Sequence, residues 1–183
     1  MAEIVDIVDE QDEVVGQITK EGAHAKQLAH RIGVVFVFYK GKLLVQRRTL
    51  EKDGLLDHST AGHVGAGETY QQAAQREMDE EIGVHSPIHY IGTVSSFRER
   101  GEKSRYRHWY GLFETEISDE QFYGMRLAPR EVAEMIPMTL EEIAEQMRMR
   151  RLDFSGGFPL TLTLYAKVKG LALGTIPLNK PEP

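Results

Sequence analysis

"GHVGAGETYQQAAQREMDEEIGV", residues 62–84, joins a glycine-rich loop to a helical pattern that ends on Glu77, Asp79, Glu80 and Glu81. Thr69 followed three residues later by Gln72 is a capping-box spacing, so a helix starts there, and Gly83 is a left-handed stop signal. Stepping about 100° per residue places Glu77, Glu80 and Glu81 on one arc beside Ala74, Met78 and Ile82. Gln72, Gln75 and Asp79 take a nearly opposite arc. Three glutamates are therefore expected to face the protein body, leaving Asp79 plainly in solvent.

At these spacings the β-carbons lie roughly 5–6 Å apart. Mutual repulsion and desolvation both disfavour the charged forms unless a cation of high charge sits among them. Hard divalent ions prefer carboxylate oxygens, and Mg²⁺ binds through a few carboxylates while water or phosphate completes its shell. A solvated acidic face is the bland alternative, and the glutamines argue against it by occupying the solvent side. Arg76 is placed to lock one glutamate's rotamer. The loop glycines permit close approach to a ligand, and Glu68 either braces that loop or joins the metal.

Outward from this stretch the chain reads mostly as strands. Residues 4–8 and 14–19 are β-branched runs around an acidic turn, an N-terminal hairpin. Residues 31–48 hold a continuous apolar run suited to a strand buried on both faces, then Lys40-Gly41-Lys42 and a second strand. A short strand over 57–61 leads into the loop. Two further strands follow the helix, residues 132–138 close the sheet, and Thr139 with Glu142 caps another helix. Residues 159–170 fit either type; Leu160, Leu164 and Val168 at i, i+4 and i+8 favour helix. The last seven residues read as a frayed tail. The fold class is α/β or α+β, a mixed sheet covered by helices, in a single domain: 1–28 hairpin and lead-in, 29–150 core, 151–183 terminal helix and tail.

The chain has 183 residues, 41% hydrophobic and 27% charged, a balance of a folded domain. A formal charge of −6 argues against nucleic acid as a partner, so an anionic ligand must be met by local basic groups. The absence of cysteine excludes disulfides, thiolate metal sites and thiol nucleophiles. An acidic N-terminus and short apolar runs carry no secretory or membrane signal, and the expected location is cytoplasmic.

Gly62, Glu68, Arg76, Glu77, Met78, Glu80, Glu81, Gly83 and Val84 fill every defined position of Gly, five residues, Glu, seven residues, Arg-Glu, apolar, any, Glu-Glu, any, Gly, apolar. In this the stretch resembles the Nudix box, and the element order from about Arg31 to Met149 resembles that family's α/β/α sandwich. The resemblance implies that Glu77, Glu80 and Glu81 ligate Mg²⁺ or Mn²⁺ with a carbonyl near Ala61 or Gly62, that Arg76 holds a glutamate, and that Glu68 supports the loop or the metal. It implies hydrolysis of a diphosphate bond in a nucleoside diphosphate linked to another moiety, a small-molecule substrate. Related folds often dimerise, which makes a homodimer the assembly the resemblance suggests.

Residues 28–69, with the N-terminal hairpin, are similar to the branch that includes type 1 isopentenyl-diphosphate isomerase and its hydrolase relatives. In the isomerase, histidines before the first core strand and in a Cys-Gly-His motif help form a metal site; His24, His30 and His63 occupy similar positions. Glu131 fits one acidic position of that site, but the second acid is missing near Ala128 and Pro129. The catalytic cysteine position is Ala61, and alkene isomerisation needs an acid/base partner on each side of the carbon skeleton. An intact box and a missing cysteine favour hydrolysis over isomerisation; a non-catalytic nucleotide-binding module is the third reading.

Arg48 and Lys52 match a basic pair that contacts the diphosphate in the isomerase branch, whereas Arg47 should face the other way along its strand. The charged aromatic stretch 97–110 either clamps a ligand or is loop charge, and Trp109 reads as core. Glu131, Glu134, Glu99 and Glu102 are candidates for the general base, Glu131 first among them.

Overall fold

The computed structural model describes residues 2–96 and 107–178. Strands β1 (Ile4–Val8) and β2 (Val14–Thr19) form the expected antiparallel hairpin. Helix α1 (Lys20–Ala25) follows, capped where the Thr19 hydroxyl accepts from the Gly22 N–H. A helix of six residues shows too little of one period to be read from apolar spacing.

Strands β3 (His30–Tyr39) and β4 (Lys42–Arg48) are joined at Lys40 and Gly41, which both have positive φ, +49° and +72°. That pair of angles suits the tight hairpin turns whose twist matches the strands. The single strand expected over 57–61 is two, β5 (Leu56–Asp57) and β6 (Thr60–His63). Then come α2 (Tyr70–Ile82), β7 (His89–Ser95), β8 (His108–Glu116), a short α3 (Asp119–Tyr123), β9 (Val132–Met138), α4 (Leu140–Met149) and α5 (Phe158–Lys169). Helix α3, opened by a reciprocal Ser118/Gln121 cap, was not expected from the pattern.

The strands make one mixed sheet with β3 at its hub. Along one side β3 runs parallel to β8, from His30 opposite His108 to Phe38 opposite Glu116. On the other it pairs antiparallel with β6, placing Ile32 opposite His63 and Gly33 opposite Gly62. Its end turns back into β4, which pairs in turn with β5 and β9.

Alternation along β3 sends Ile32, Val34 and Phe36 into one core, with Leu112 and residues of α4 and α5. Val35 and Val37 enter the other, with Ala74, Met78 and Ile82 of α2. The strand is thus buried on both faces, as its unbroken apolar run implies, and the architecture is the α/β/α sandwich. Helix α2 lies so close to β3 that a β-carbon on Gly33 would stand 2.9 Å from the Ala74 nitrogen. In α5 the helix is as expected, and of its expected face Leu160 is buried and Leu164 packs against the core, while Val168 is exposed; Phe158, Leu162 and Tyr165 also pack inward, so the buried face is wider than the spacing shows. Two turns of near-continuous apolar sequence leave the choice of face to the surface on which they dock. The candidates Glu99 and Glu102, the loop clamp and most of the expected frayed tail lie outside the described residues.

Candidate active site

Helix α2 starts and stops as its sequence dictates. The Thr69 hydroxyl accepts from the Gln72 backbone N–H at 3.2 Å, and the Gln72 side-chain Oε1 accepts from the Thr69 backbone N–H at 2.9 Å. At the other end Gly83 adopts φ +67°, and its N–H donates to the Asp79 carbonyl. These caps set the rotation of the helix, and with it which acids point at β6.

Glu77 and Glu81 point inward. The Glu81 side chain is buried, and its Oε2 accepts from the Gln46 side-chain amide at 2.9 Å and the Ala61 N–H at 3.3 Å. Burial, reinforced by the charge of Glu77, pushes the Glu81 carboxyl up to about 8. Burial also raises Glu77, against the lowering effect of Arg76. Glu77 fits against the backbone of Gly62, where a β-carbon would overlap its carboxylate. Only glycine leaves that space open.

Glu80 corrects the arc reading. Its side chain is 62% exposed, so two of the three glutamates face the body and the third stands at the cavity mouth. One residue earlier than Glu81 is a rotation of about 100°, enough to carry a side chain from beneath the helix to its rim.

Arg76 organises the cluster. Its Nε and Nη2 donate to the two oxygens of Glu68 at 3.0 Å each, Nη1 donates to Glu77 Oε1 at 2.6 Å, and Nη2 also donates to the His63 carbonyl at 3.0 Å. Glu68 accepts in addition from the Gly65 N–H at 2.9 Å. Burial raises Glu68, but the bonds from Arg76 and Gly65 outweigh it and hold the carboxylate below its usual range. Of its two sequence roles, the structure thus shows the brace: both oxygens are engaged by the loop and Arg76, and Glu68 does not line the cavity.

The cavity beside Gly62 and the inner glutamates has a volume of about 340 Å³. Arg48, Lys52 and Glu131 also line it. Arg48 is steadied by Asp57 at 3.1 Å and Asp53 at 3.2 Å, and Lys52 lies 3.6 Å from Glu131. Arg47 and Glu134 pair with each other at 2.7 Å and do not line it, so of the two base candidates among the described residues Glu131 is the one brought to the site. Asp57 is buried; desolvation raises it, but His58, Ser155 and Arg48 together hold it down at about 2. Gln46 and Asp57 were missed in the sequence because neither belongs to a charged pattern; strand pairing brings Gln46 to Glu81 of α2 and Asp57 to Arg48 at the cavity wall.

A second recess of about 220 Å³ adjoins the first, sharing Arg48, Asp57, Ala61, Gly62 and His63. His63 and His108 line it, and with His24 and His30 they form a cluster of four histidines, with one ring nitrogen each within 4.8 Å of the others. Burial first, then mutual repulsion, lowers His63 to about 3 and His108 well below the imidazole range. The sequence grouped Glu131 with His24, His30 and His63; the structure corrects this, since Glu131 lines the carboxylate cavity and His108 completes the cluster. His108 was missed because a parallel pairing across 78 positions, which sets it beside His30, leaves no local signal. Trp109, next along β8, is buried as expected.

The inner carboxylates suit a hard divalent ion. A buried pair with raised affinity for protons, facing a glycine gap and open to a polar cavity, is a donor set for Mg²⁺ or Mn²⁺. Among the described residues no helix is long and apolar enough to cross a membrane.

Comparison with known proteins accords with this arrangement. A family model described as the NUDIX domain matches residues 29–155. An uncharacterized Nudix hydrolase, YfcD, of Salmonella typhi is 35% identical over 173 residues, covering 90% of this chain and 88% of that protein. The isopentenyl-diphosphate Delta-isomerase of Pectobacterium atrosepticum is 30% identical over 165 residues, covering 88% and 89%. The crystal structure of DR0079 from Deinococcus radiodurans superposes with a TM-score of 0.70 at 23% identity, over 92% of this chain and 98% of that one, and shows the shared fold. Matched across its core by the family model, and across most of its length by Nudix hydrolases, the chain belongs to the Nudix family and is a hydrolase of pyrophosphate bonds.

Proposed function

We propose that the chain cleaves the diphosphate bond of a nucleoside diphosphate linked to another moiety, with Mg²⁺ or Mn²⁺ held by Glu77 and Glu81. The observation that carries this reading is the inward pair of carboxylates against Gly62, beside a basic wall. Glu80, at the mouth, and the Gly62 carbonyl complete the donor set. The bound ion supplies charge neutralisation at the bridging phosphates and a more acidic water.

The protein's own residues do the rest. Arg48 and Lys52 bind the phosphate oxygens, Arg76 fixes Glu77, and Gln46 fixes Glu81 by its amide. Glu131, across the cavity, takes a proton from the attacking water as its oxygen bonds to phosphorus and the bridging P–O bond breaks. Two phosphorylated products leave. A panel of nucleoside diphosphate derivatives, read by phosphate release after phosphatase coupling, tests this; turnover in Mg²⁺ abolished in Glu81→Gln is the expected result, and undiminished turnover in that variant refutes it.

The similarity to an isomerase raises the second reading, conversion of isopentenyl to dimethylallyl diphosphate. At position 61 this chain offers the methyl group of alanine where proton transfer needs an acid or base. No isomer is expected from the pure protein, whatever its hydrolytic substrate.

A further inference from the structure

Asp57 lines both the carboxylate cavity and the recess beside it, and its two oxygens have different partners. Oδ2 accepts from Arg48 Nη1 at 3.1 Å. Oδ1 accepts from the His58 backbone N–H at 2.8 Å and from the Ser155 hydroxyl. The His58 ring adds a third contact: its Nδ1 is 2.6 Å from Oδ1 but out of line for a hydrogen bond, so the attraction is chiefly electrostatic. Its Nε2 lies 2.9 Å from the Thr161 hydroxyl of α5, which keeps the ring from turning away. His58, Ser155 and Thr161 are all buried.

Backbone pairing fixes the donors that come from the C-terminal side. The Leu56 N–H donates to the Asp153 carbonyl at 2.8 Å, and the Ser155 N–H donates to the Leu56 carbonyl at 2.7 Å, which makes a parallel bridge between Leu56 of β5 and Phe154. Phe158 and Leu162 of the following helix are packed in the core, so the hydroxyls of Ser155 and Thr161 have little freedom. Arg48 is a longer side chain at the end of β4, with many rotamers to lose. Two carboxylates hold it: Nη1 bonds Asp57, and Nε lies 3.2 Å from Asp53. The Asp53 side chain is 35% exposed and that of Asp57 12%, so Asp57 is the firmer of the two anchors.

From this geometry we infer that His58 and Ser155 are positioning residues for phosphate binding: they fix the Asp57 carboxylate, which aims the Arg48 guanidinium into the cavity. The inference rests on Arg48 meeting the substrate's phosphate. An arginine held in place before its ligand arrives loses less side-chain entropy on binding, so the gain falls on affinity and not on the bond-breaking step. Neither His58 nor Ser155 lines the carboxylate cavity, so their effect on a phosphate there passes through Asp57. The segment that leads into α5 thereby sets a donor on β4, a hundred positions earlier in the chain.

The test titrates full-length protein, in Mg²⁺, with methylenediphosphonate, a diphosphate analogue that resists hydrolysis and carries no group to fill the second recess. Affinity is read by calorimetry, and melting temperature checks that each variant folds. Arg48→Gln should bind about tenfold more weakly or worse, the scale of a charge-assisted hydrogen bond. Ser155→Ala should bind roughly three- to tenfold more weakly, the scale of one net hydrogen bond, and Ser155→Thr should restore most of the loss. In the Arg48→Gln background Ser155→Ala should cost nothing further, because the coupling runs through the arginine. In turnover of a substrate found in the panel, Ser155→Ala should raise KM by the same factor and leave kcat within about twofold. His58→Gln should behave alike; if it does not fold, Ser155→Ala carries the test. Unchanged affinity in Ser155→Ala, an equal loss in the Arg48→Gln background, or a fall in kcat alone would each overturn the assignment. Binding that follows this pattern in a protein that turns over nothing in the panel would support the positioning and count against the nucleoside diphosphate reading. Arg48→Gln that binds like wild type would remove Arg48 from the phosphate site and the positioning with it.

Discussion

Gly62 faces the Glu77 carboxylate so closely that a single methyl group on its α-carbon would occupy the same space. The contact ties a loop glycine to a helix acid fifteen residues away. Gly62→Ala should therefore displace Glu77 from Arg76 and from the cavity. Turnover is expected to fall by about a hundredfold or more, the scale of losing one preorganised electrostatic contact. Helix content by circular dichroism should stay unchanged. Retained turnover would show that Glu77 need not sit where it does.

Mg²⁺ should stabilise the folded chain through the same pair of acids. Binding to the native state alone raises stability by about 2.7 kcal/mol at a hundredfold excess over Kd. For a chain of this size the melting point then rises by several degrees, roughly 2–4 °C per kcal/mol. Glu77→Gln combined with Glu81→Gln should melt at the same temperature with and without Mg²⁺, as measured by scanning fluorimetry.

Arg76 makes five donor contacts from one guanidinium, two of them a matched pair with Glu68. Arg76→Lys keeps the charge but cannot reproduce the fork. Turnover should drop more than tenfold while substrate KM moves little, because the loss is in the placement of Glu77 and not in phosphate contact. The stability cost should be modest, about 1 kcal/mol, since the group is partly exposed.

Asp57 sets a pH dependence. Its folded value of about 2 lies below the ordinary 3.8, so the unfolded chain binds more protons between those limits. The contribution is whole above the ordinary value and is lost as pH falls through it toward 2. It amounts to roughly 2 kcal/mol. Urea unfolding at pH 6 and at pH 3 should show a steeper loss for wild type than for Asp57→Asn. Equal slopes would mean that Arg48, His58 and Ser155 do not hold the carboxylate as described.

Helix α2 shows how far local chemistry reaches. Thr69, Gln72 and Gly83 specify its two ends, because capping groups lie within one turn of the atoms they satisfy. The inward turn of Glu77 and Glu81 is legible for the same reason, from rotation per residue. The exposure of Glu80 is not, since the arc groups it with Glu77 and Glu81 and only the position of β6 and the loop decides which of the three is wet.

From its sequence alone the protein has its class: strands with one or two buried faces, a capped helix carrying a box of acids, and a loop that must be glycine. Those features depend on periods of two and 3.6 residues, which a linear pattern records. The partnership of His30 with His108, the Gln46 amide under Glu81, and the separation of Glu131 from the histidines were decided by strand pairing in three dimensions. Pairing brings together residues tens of positions apart according to which faces can be buried against each other, and no spacing along the chain encodes that choice.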